Sequence, residues 1–308
     1  MSIRAEERMY DGIINVYKEK GFTSHDVVAK MRGILGQRKI GHTGTLDPAA
    51  EGVLPVCAGK GTKLCDMLTD HDKTYRAVLL LGTETDTEDT TGTVIGTKDT
   101  SGLTESQVRE AVLSFIGDYD QVPPMYSALK VDGKKLYELA REGKTVERKA
   151  RPVKIFDIQI ETMDLPEVTM TVSCSKGTYI RTLCHDIGAK LSVGGCMKEL
   201  LRTKVGRFEI KDSLKLDDLQ KLKEEGRFGE VVLPVEEVFK DLPEIRSETE
   251  ELDKLLKNGN PFRSRAVKNV TDGDMFRVYH SDGTFIGVFR YDAEKRMYYP
   301  EKIFLGGN

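Results

Sequence analysis

A carboxylate, two phenols and a guanidinium stand in three short segments whose side chains could together carry nucleophilic chemistry on a planar substrate. Asp47 lies in Gly41-His-Thr-Gly-Thr-Leu-Asp-Pro48, where the glycines would let backbone approach a ligand closely. Lys73-Thr-Tyr75 puts a phenol at the start of a β-prone run, and Lys176-Gly-Thr-Tyr-Ile-Arg181 puts Tyr179 and Arg181 around a strand-to-helix junction. Aromatic rings stack on bases, and arginine pairs with carboxylates or phosphates. Each segment alone has a plainer reading. Asp before Pro commonly starts a turn, tyrosines fill cores, and His42 is a loop histidine with no serine or cysteine placed to complete a triad. Taken together they describe one site: a carboxylate nucleophile, an arginine to hold it ionised against desolvation, and rings to sandwich the substrate.

Other chemistries find little support. Gly33-xx-Gly36 and Gly59-Lys-Gly61 lack the spacing of a phosphate loop or dinucleotide fingerprint. The five cysteines are odd in number and show no CxxC or Cys/His ligand spacing, so they are expected to be small core residues, with no metal and no cofactor. A net charge of −3 does not announce nucleic acid, but an electrostatic footprint is local. The segment from Arg141 to Lys154 sets six cations against Glu142 and Glu147, a local net of +4. Arg263, Arg265 and Lys268 make a smaller second patch. Candidates for contact with an RNA backbone are Lys18, Lys130, Arg148, Lys149 and Arg151.

The elements that must position these groups are mixed. Gly12–Tyr17 reads as a strand, and Thr23-Ser24 offers an N-cap to a short helix through Val27, Val28 and Met31 that stops at Gly33. Gly41 to Gly61, with five glycines and two prolines, reads as a loop, followed by a helical stretch Thr62–Leu68 and a strand Tyr75–Leu81. The acidic, threonine-rich stretch Thr83–Thr91 reads as a solvated connection. Thr104 and Gln107 make a capping box before a core helix over Val108, Ala111, Val112, Phe115 and Ile116. Lys134–Arg141 reads as a helix, Val153–Ile160 and Val168–Cys174 as strands, and Ile180–Leu191 as a helix. From about Leu242 the texture changes to one short helix at Leu252–Lys257 and strand-like pieces Ala266–Val270, Met275–Tyr279 and Thr284–Tyr291, separated by Asp-Gly turns. No run approaches the roughly 18 apolar residues of a membrane span, and no apolar signal-peptide core opens the chain, so a cytoplasmic protein is expected.

In this order the segments resemble the TruB-type tRNA pseudouridine synthases. Gly41–Pro48 with Glu51-Gly-Val-Leu-Pro55 looks like the family's catalytic loop, Lys73-Thr-Tyr75 like its K-x-Y element, and Gly177-Thr-Tyr-Ile-Arg-Thr182 like its G-T-Y-I-R-T signature. Gln121-Val-Pro-Pro-Met-Tyr-Ser-Ala-Leu-Lys130 resembles a further family segment. One departure stands near the N-terminus: where the family commonly reads D-K-P-x-G-x-T-S, this chain has Tyr17-Lys-Glu-Lys-Gly-Phe-Thr-Ser24.

The resemblance implies an α+β fold, with a pseudouridine-synthase catalytic domain over residues 1–240 built on a mixed, largely antiparallel sheet flanked by helices. A small β-rich PUA-like RNA-binding domain would follow over 241–308. It implies isomerisation of uridine to pseudouridine in tRNA, at position 55 of the T loop, after the base is flipped out of the stack. Asp47 would be the nucleophile, paired with Arg181. Tyr75 would stack on the uracil, Tyr179 and Leu200 would contact it, and His42 would occupy space near the flipped base. The T stem-loop of tRNA is the expected partner of a monomer. Two rival readings remain: an RNA-binding protein with a vestigial pocket, and an Asp-nucleophile hydrolase, for which Asp47-Pro-Ala-Ala-Glu51 lacks a DxD-type carboxylate pair.

Overall fold

The computed structural model describes residues 9–305 apart from 132 and 265. A ten-stranded sheet runs, edge to edge, through Val232–Leu233, Gly12–Lys18, Glu51–Ala58, Gly195–Val205, Lys73–Leu81, Glu167–Cys174, Arg151–Asp164 and Gly117–Gln121. Ile40–His42 and Phe208–Glu209 pair beside this path. Every pairing is antiparallel except one. Glu51–Ala58 meets Gly195–Val205 in parallel, through only Leu201↔Glu51 and Arg202↔Gly52. The sheet is thus two antiparallel halves joined at a short parallel seam. Gly52 makes the seam possible: its φ is +105°, and a Cβ there would lie 2.2 Å from the Arg202 carbonyl oxygen.

Each half buries its own core. On one side Val27, Val28 and Met31 of helix Ser24–Leu35 and Leu219 of helix Leu216–Glu224 pack on Ile14, Leu54 and Val56. On the other, Val108 and Val112 of helix Glu105–Leu113 and Leu183 and Ile187 of helix Ile180–Lys190 pack on Leu79, Met170 and Val172. The capping box of Thr104 and Gln107 forms as expected. A four-stranded C-terminal sheet, Glu244–Arg246, Met275–Tyr279, Phe285–Asp292 and Met297–Ile303, encloses Phe276, Ile286, Phe289 and Tyr298. Val288 and Phe304 carry it onto Ile13, Val53 and Cys57 of the main sheet.

Several expectations are corrected. Gly41–Gly61 is not one loop, because Glu51–Ala58 is a strand buried on both faces, its apolar run interrupted in sequence only by Gly52 and Pro55. Helix Ser24–Leu35 passes through the exposed Gly33 and ends where Gly36 turns left-handed at φ 67°. Thr83–Thr91 is no solvated connection: Thr83–Thr85 pairs with Val94–Thr97, and Thr85 and Asp89 are buried. Ala266–Val270 forms no strand. The central strand Gly195–Val205 has no counterpart in the sequence reading. Among the described residues no helix is long and apolar enough to cross a membrane.

Candidate active site

A cavity of about 970 Å³ opens over the parallel seam, with Asp47, Tyr75, Tyr179, Arg181 and Leu200 in its wall. Five of the six residues expected at the site therefore converge. They arrive from separate elements: a loop, strand Lys73–Leu81, the start of helix Ile180–Lys190 and strand Gly195–Val205. His42 is not among the lining residues. It is half-buried, its Nδ1 accepts from the Gly44 N–H at 3.3 Å, and its ring packs edge-on against His25, 5.5 Å between centroids. Burial, with the charges of His25 and Arg202, pushes its imidazolium below the usual range.

The Asp47–Arg181 pair is the centre of the site. Arg181 Nε lies 2.9 Å from Asp47 Oδ2 and 3.8 Å from Asp89 Oδ2. Its two remaining nitrogens donate to the carbonyls of Thr87 (3.1 Å) and Tyr126 (2.9 Å). The guanidinium side chain is 6% exposed and the carboxylate 37%, so a buried cation holds an anion that still faces the cavity. The first helical turn is a poor place for a cation, since the helix dipole is positive there, and this turn contains no acidic residue. Asp47 and Asp89 compensate from outside the helix. Gln121 fixes the N-cap: its side chain accepts from the Tyr179 N–H at 2.8 Å and donates to the Tyr179 carbonyl at 2.9 Å.

The loop bearing Asp47 is tied down from every side. Ser24 Oγ accepts the Leu46 N–H (2.9 Å), and the Gly21 N–H donates to the Pro48 carbonyl (2.8 Å). Lys18 Nζ donates to the carbonyls of Ala50 (2.5 Å), Glu19 (3.2 Å) and Pro48 (3.4 Å). Arg202 donates to the carbonyls of Val53 (2.8 Å), Gly44 (3.3 Å) and Thr45 (3.4 Å). Loop carbonyls that would otherwise be buried without donors are satisfied in this way. The departure at positions 17 and 19 is absorbed locally: the Tyr17 hydroxyl reaches Glu51 at 3.4 Å, and Glu19 pairs with Lys215 at 3.4 Å.

Tyr75 and Tyr179 both have phenol pKa values raised by burial, with Arg202 opposing at the first and a Ser127 hydrogen bond at the second. Both phenols therefore stay protonated and uncharged at neutral pH. Lys73 is buried with Nζ donating to the carbonyls of Thr69 (2.6 Å) and His71 (2.7 Å), and burial followed by the charge of Arg202 pulls its ammonium down to about 8.

Of the expected RNA-backbone cations, Lys130, Lys149 and Arg151 are exposed, and Arg151 joins Arg141 and Lys176 at the cavity wall. Arg148 is half-buried and donates to the Pro123 carbonyl at 3.0 Å. Lys18 is a correction: it is fully buried and its three donors are spent on carbonyls, so it cannot reach a phosphate. Arg263 and Lys268 are exposed, and Arg265 lies outside the described residues.

The sequence reading missed Asp89, Gln121 and Arg202 as site residues. Asp89 is masked by its acidic, threonine-rich surroundings, although Thr87 and Thr91 hydroxyls donate to its carboxylate. Arg202 had a usable signal. Residues two apart on a strand share a face, so an inward Leu200 implies an inward Arg202, as Tyr75 does Lys73.

Comparison with known proteins identifies the family. Residues 32–180 match the family model described as TruB family pseudouridylate synthase (N terminal domain), and residues 181–240 match tRNA pseudouridylate synthase B C-terminal domain. A tRNA pseudouridine synthase B of Lachnoclostridium phytofermentans is 51% identical, over 96% of this chain and 100% of the relative. One of Clostridium novyi is 46% identical, over 90% of this chain and 94% of the relative. The crystal structure of a Cbf5-Nop10-Gar1 complex contains a chain 27% identical to this one, superposing at a TM-score of 0.70 over 96% of this chain and 85% of that one. This chain belongs to the TruB family of pseudouridylate synthases and is an isomerase.

Proposed function

We propose that the enzyme isomerises the T-loop uridine at position 55 of tRNA, with Asp47 as nucleophile. The observation that carries this reading is a half-exposed carboxylate, paired with a buried guanidinium, in the wall of a cavity that also holds two neutral phenols and Leu200. The reaction breaks the uracil N1–C1′ bond, turns the base and forms C5–C1′, without redox change or group donor. Such chemistry needs a nucleophile, a flat dry pocket and a way to pay for flipping the base, which costs a few kcal/mol. Tyr75 stacks on the uracil, Tyr179 and Leu200 contact it, and Arg181 orients Asp47. Arg141, Arg151 and Lys176 bring positive charge to the cavity wall, and Lys149 and Lys130 are exposed; along these cations the backbone of a bound T stem-loop would run. The names of the 44–51% identical relatives support tRNA as substrate. The small C-terminal sheet, with exposed Arg263 and Lys268, serves as a PUA-like RNA-binding domain.

The test is incubation with unmodified tRNA followed by mapping of pseudouridine. Conversion at position 55 is expected, and Asp47→Asn should lower turnover by at least about 10⁴-fold while tRNA binding survives. Conversion elsewhere would move the substrate assignment, and wild-type-like turnover of Asp47→Asn would remove Asp47 from the chemistry. Binding without any conversion by the wild type would favour the vestigial-pocket reading.

A further inference from the structure

Two buried cations on the cavity wall differ from Arg181 in the company they keep. Arg202 is 1% exposed and lies opposite Tyr75 in the register of neighbouring strands. Its recorded acceptors are the neutral carbonyls of Val53, Thr45 and Gly44. Lys73, two residues before Tyr75 and 7% exposed, likewise donates to carbonyls alone. Among the described residues no carboxylate lies within ion-pair distance of either, whereas Arg181 has Asp47 and Asp89. A guanidinium taken out of water to face carbonyl dipoles is left with desolvation that a carboxylate would offset. Neither positive charge is neutralised by a contacting carboxylate, although Asp47, Asp70 and Asp89 share the cavity wall, and both residues flank the ring proposed to stack on the base.

We propose that Arg202, backed by Lys73, supplies the positive field that stabilises the uracil as it leaves the sugar with the bonding electron pair. This rests on the reading of Asp47 as nucleophile at the sugar. In that step a carboxylate oxygen of Asp47 bonds to C1′ while N1–C1′ breaks, and the electron pair goes to the base, delocalised from N1 over O2 and O4. C5 then attacks C1′, the ester bond breaks, the carboxylate is restored, and the C5 proton passes to N1. The negative charge therefore leaves the partner of Arg181 and appears on the base, on the side of Arg202, then returns. Fixed charges aimed at where charge develops need no reorganisation at the moment of reaction. Arg202 is a positioning residue acting through this field, and it also holds the Asp47 loop.

The two duties separate with a better leaving group. Single-turnover rates are measured on T-loop RNA carrying uridine or 5-fluorouridine, whose base anion is intrinsically more stable, and consumption of the starting nucleoside is followed after digestion. Arg202→Gln should lower the uridine rate by roughly 100-fold, with RNA affinity within about threefold of wild type. The deficit should be several-fold smaller with 5-fluorouridine, and Arg202→Lys, which keeps the charge, should recover a large part of the uridine rate. Equal deficits for both bases, in a variant that melts like wild type, would overturn the proposal and leave Arg202 a loop anchor. If Arg202→Gln does not fold, Lys73→Gln carries the same two-base comparison, with a smaller deficit of the same sign expected and equal deficits overturning it. A wild type that converts no uridine, or an active Asp47→Asn, would defeat the parent reading instead.

Discussion

The loop from Thr43 to Ala50 and the segment from Glu142 to Ala150, between the wall residues Arg141 and Arg151, are both irregular chain beside the cavity, and both depend on lysine and arginine. They use them in opposite directions. Around the loop, Lys18 and Arg202 point inward and spend their donors on backbone carbonyls, while Ser24 and Gly21 add hydrogen bonds to Leu46 and Pro48. In the segment, Lys144 and Lys149 face water, and Arg148 alone reaches back, to Pro123. A nucleophile must be held within a fraction of an ångström, whereas a polyanion is gripped by charges that can follow it. The difference between the regions is the difference between those two tasks.

The strongest way to break the comparison is at the ion pair that orients the loop's carboxylate. Arg181→Lys keeps the charge but cannot span Asp47, Thr87 and Tyr126 at once, so kcat should fall roughly 10²–10³-fold with little change in RNA affinity. A near-normal rate would mean that charge alone suffices and that rigidity is not the loop's purpose. Next comes the loop's own scaffold. Ser24→Ala strands the buried Leu46 N–H and should cost about 1–3 kcal/mol in denaturant unfolding, together with a fall in kcat. Loss of stability without loss of rate would uncouple the scaffold from the chemistry.

A pH experiment sharpens the same point. Burial pulls the Lys18 and Lys73 ammonium groups down to about 8, from 10.5 when solvated. Between those values the unfolded chain binds more protons than the native one, so these two groups make stability rise with pH above about 8 and leave it flat below. In Lys18→Met the rise between pH 8 and 9.5 should shrink by about 1–2 kcal/mol relative to wild type. An unchanged slope would place the Lys18 ammonium in water. The smallest effect belongs to the outward cations: Lys149→Gln with Arg151→Gln should reduce the salt slope of tRNA binding by about 2, one per lost phosphate contact, while kcat at saturating tRNA holds. A fall in kcat there would make the segment part of the rigid site.

The same contrast explains how far the sequence could be read. Asp47, Tyr75, Tyr179 and Arg181 are legible because their side chains could do chemistry, whereas Leu200 follows only from the family resemblance. The cavity brings them together across more than 150 residues. The helices at Ser24 and Thr104 were legible because their caps are local chemistry. Lys18 was misread because nothing in Tyr17-Lys-Glu tells whether an ammonium will meet a phosphate or a carbonyl; tertiary burial decides that. Glu51–Ala58 reads as loop in sequence because glycine and proline mark loops in most settings, yet Gly52 serves a close approach of two backbones and Pro55 stands within the pairing register opposite Asn15. His42 shares the nucleophile's loop but turns toward His25 instead of the cavity. Sequence adjacency does not set direction.

The parallel seam has a consequence for how the enzyme comes into being. Asp47 and its strand belong to one half of the sheet, while Arg181 and Arg202 belong to the other and are synthesised last among the groups that hold the loop. A nascent chain emerging from the ribosome can pair Gly12–Lys18 with Glu51–Ala58 early, but this half gains its edge strand Val232–Leu233 and the core residues Leu216, Leu219 and Phe228 only after the seam's second side has been made. Until residue 181 is available the nucleophile lacks its counter-charge, and until residue 202 is available its loop lacks the donors to Val53, Thr45 and Gly44. Activity therefore depends on the late part of the chain, and nascent chains arrested short of residue 202 should hold no assembled site.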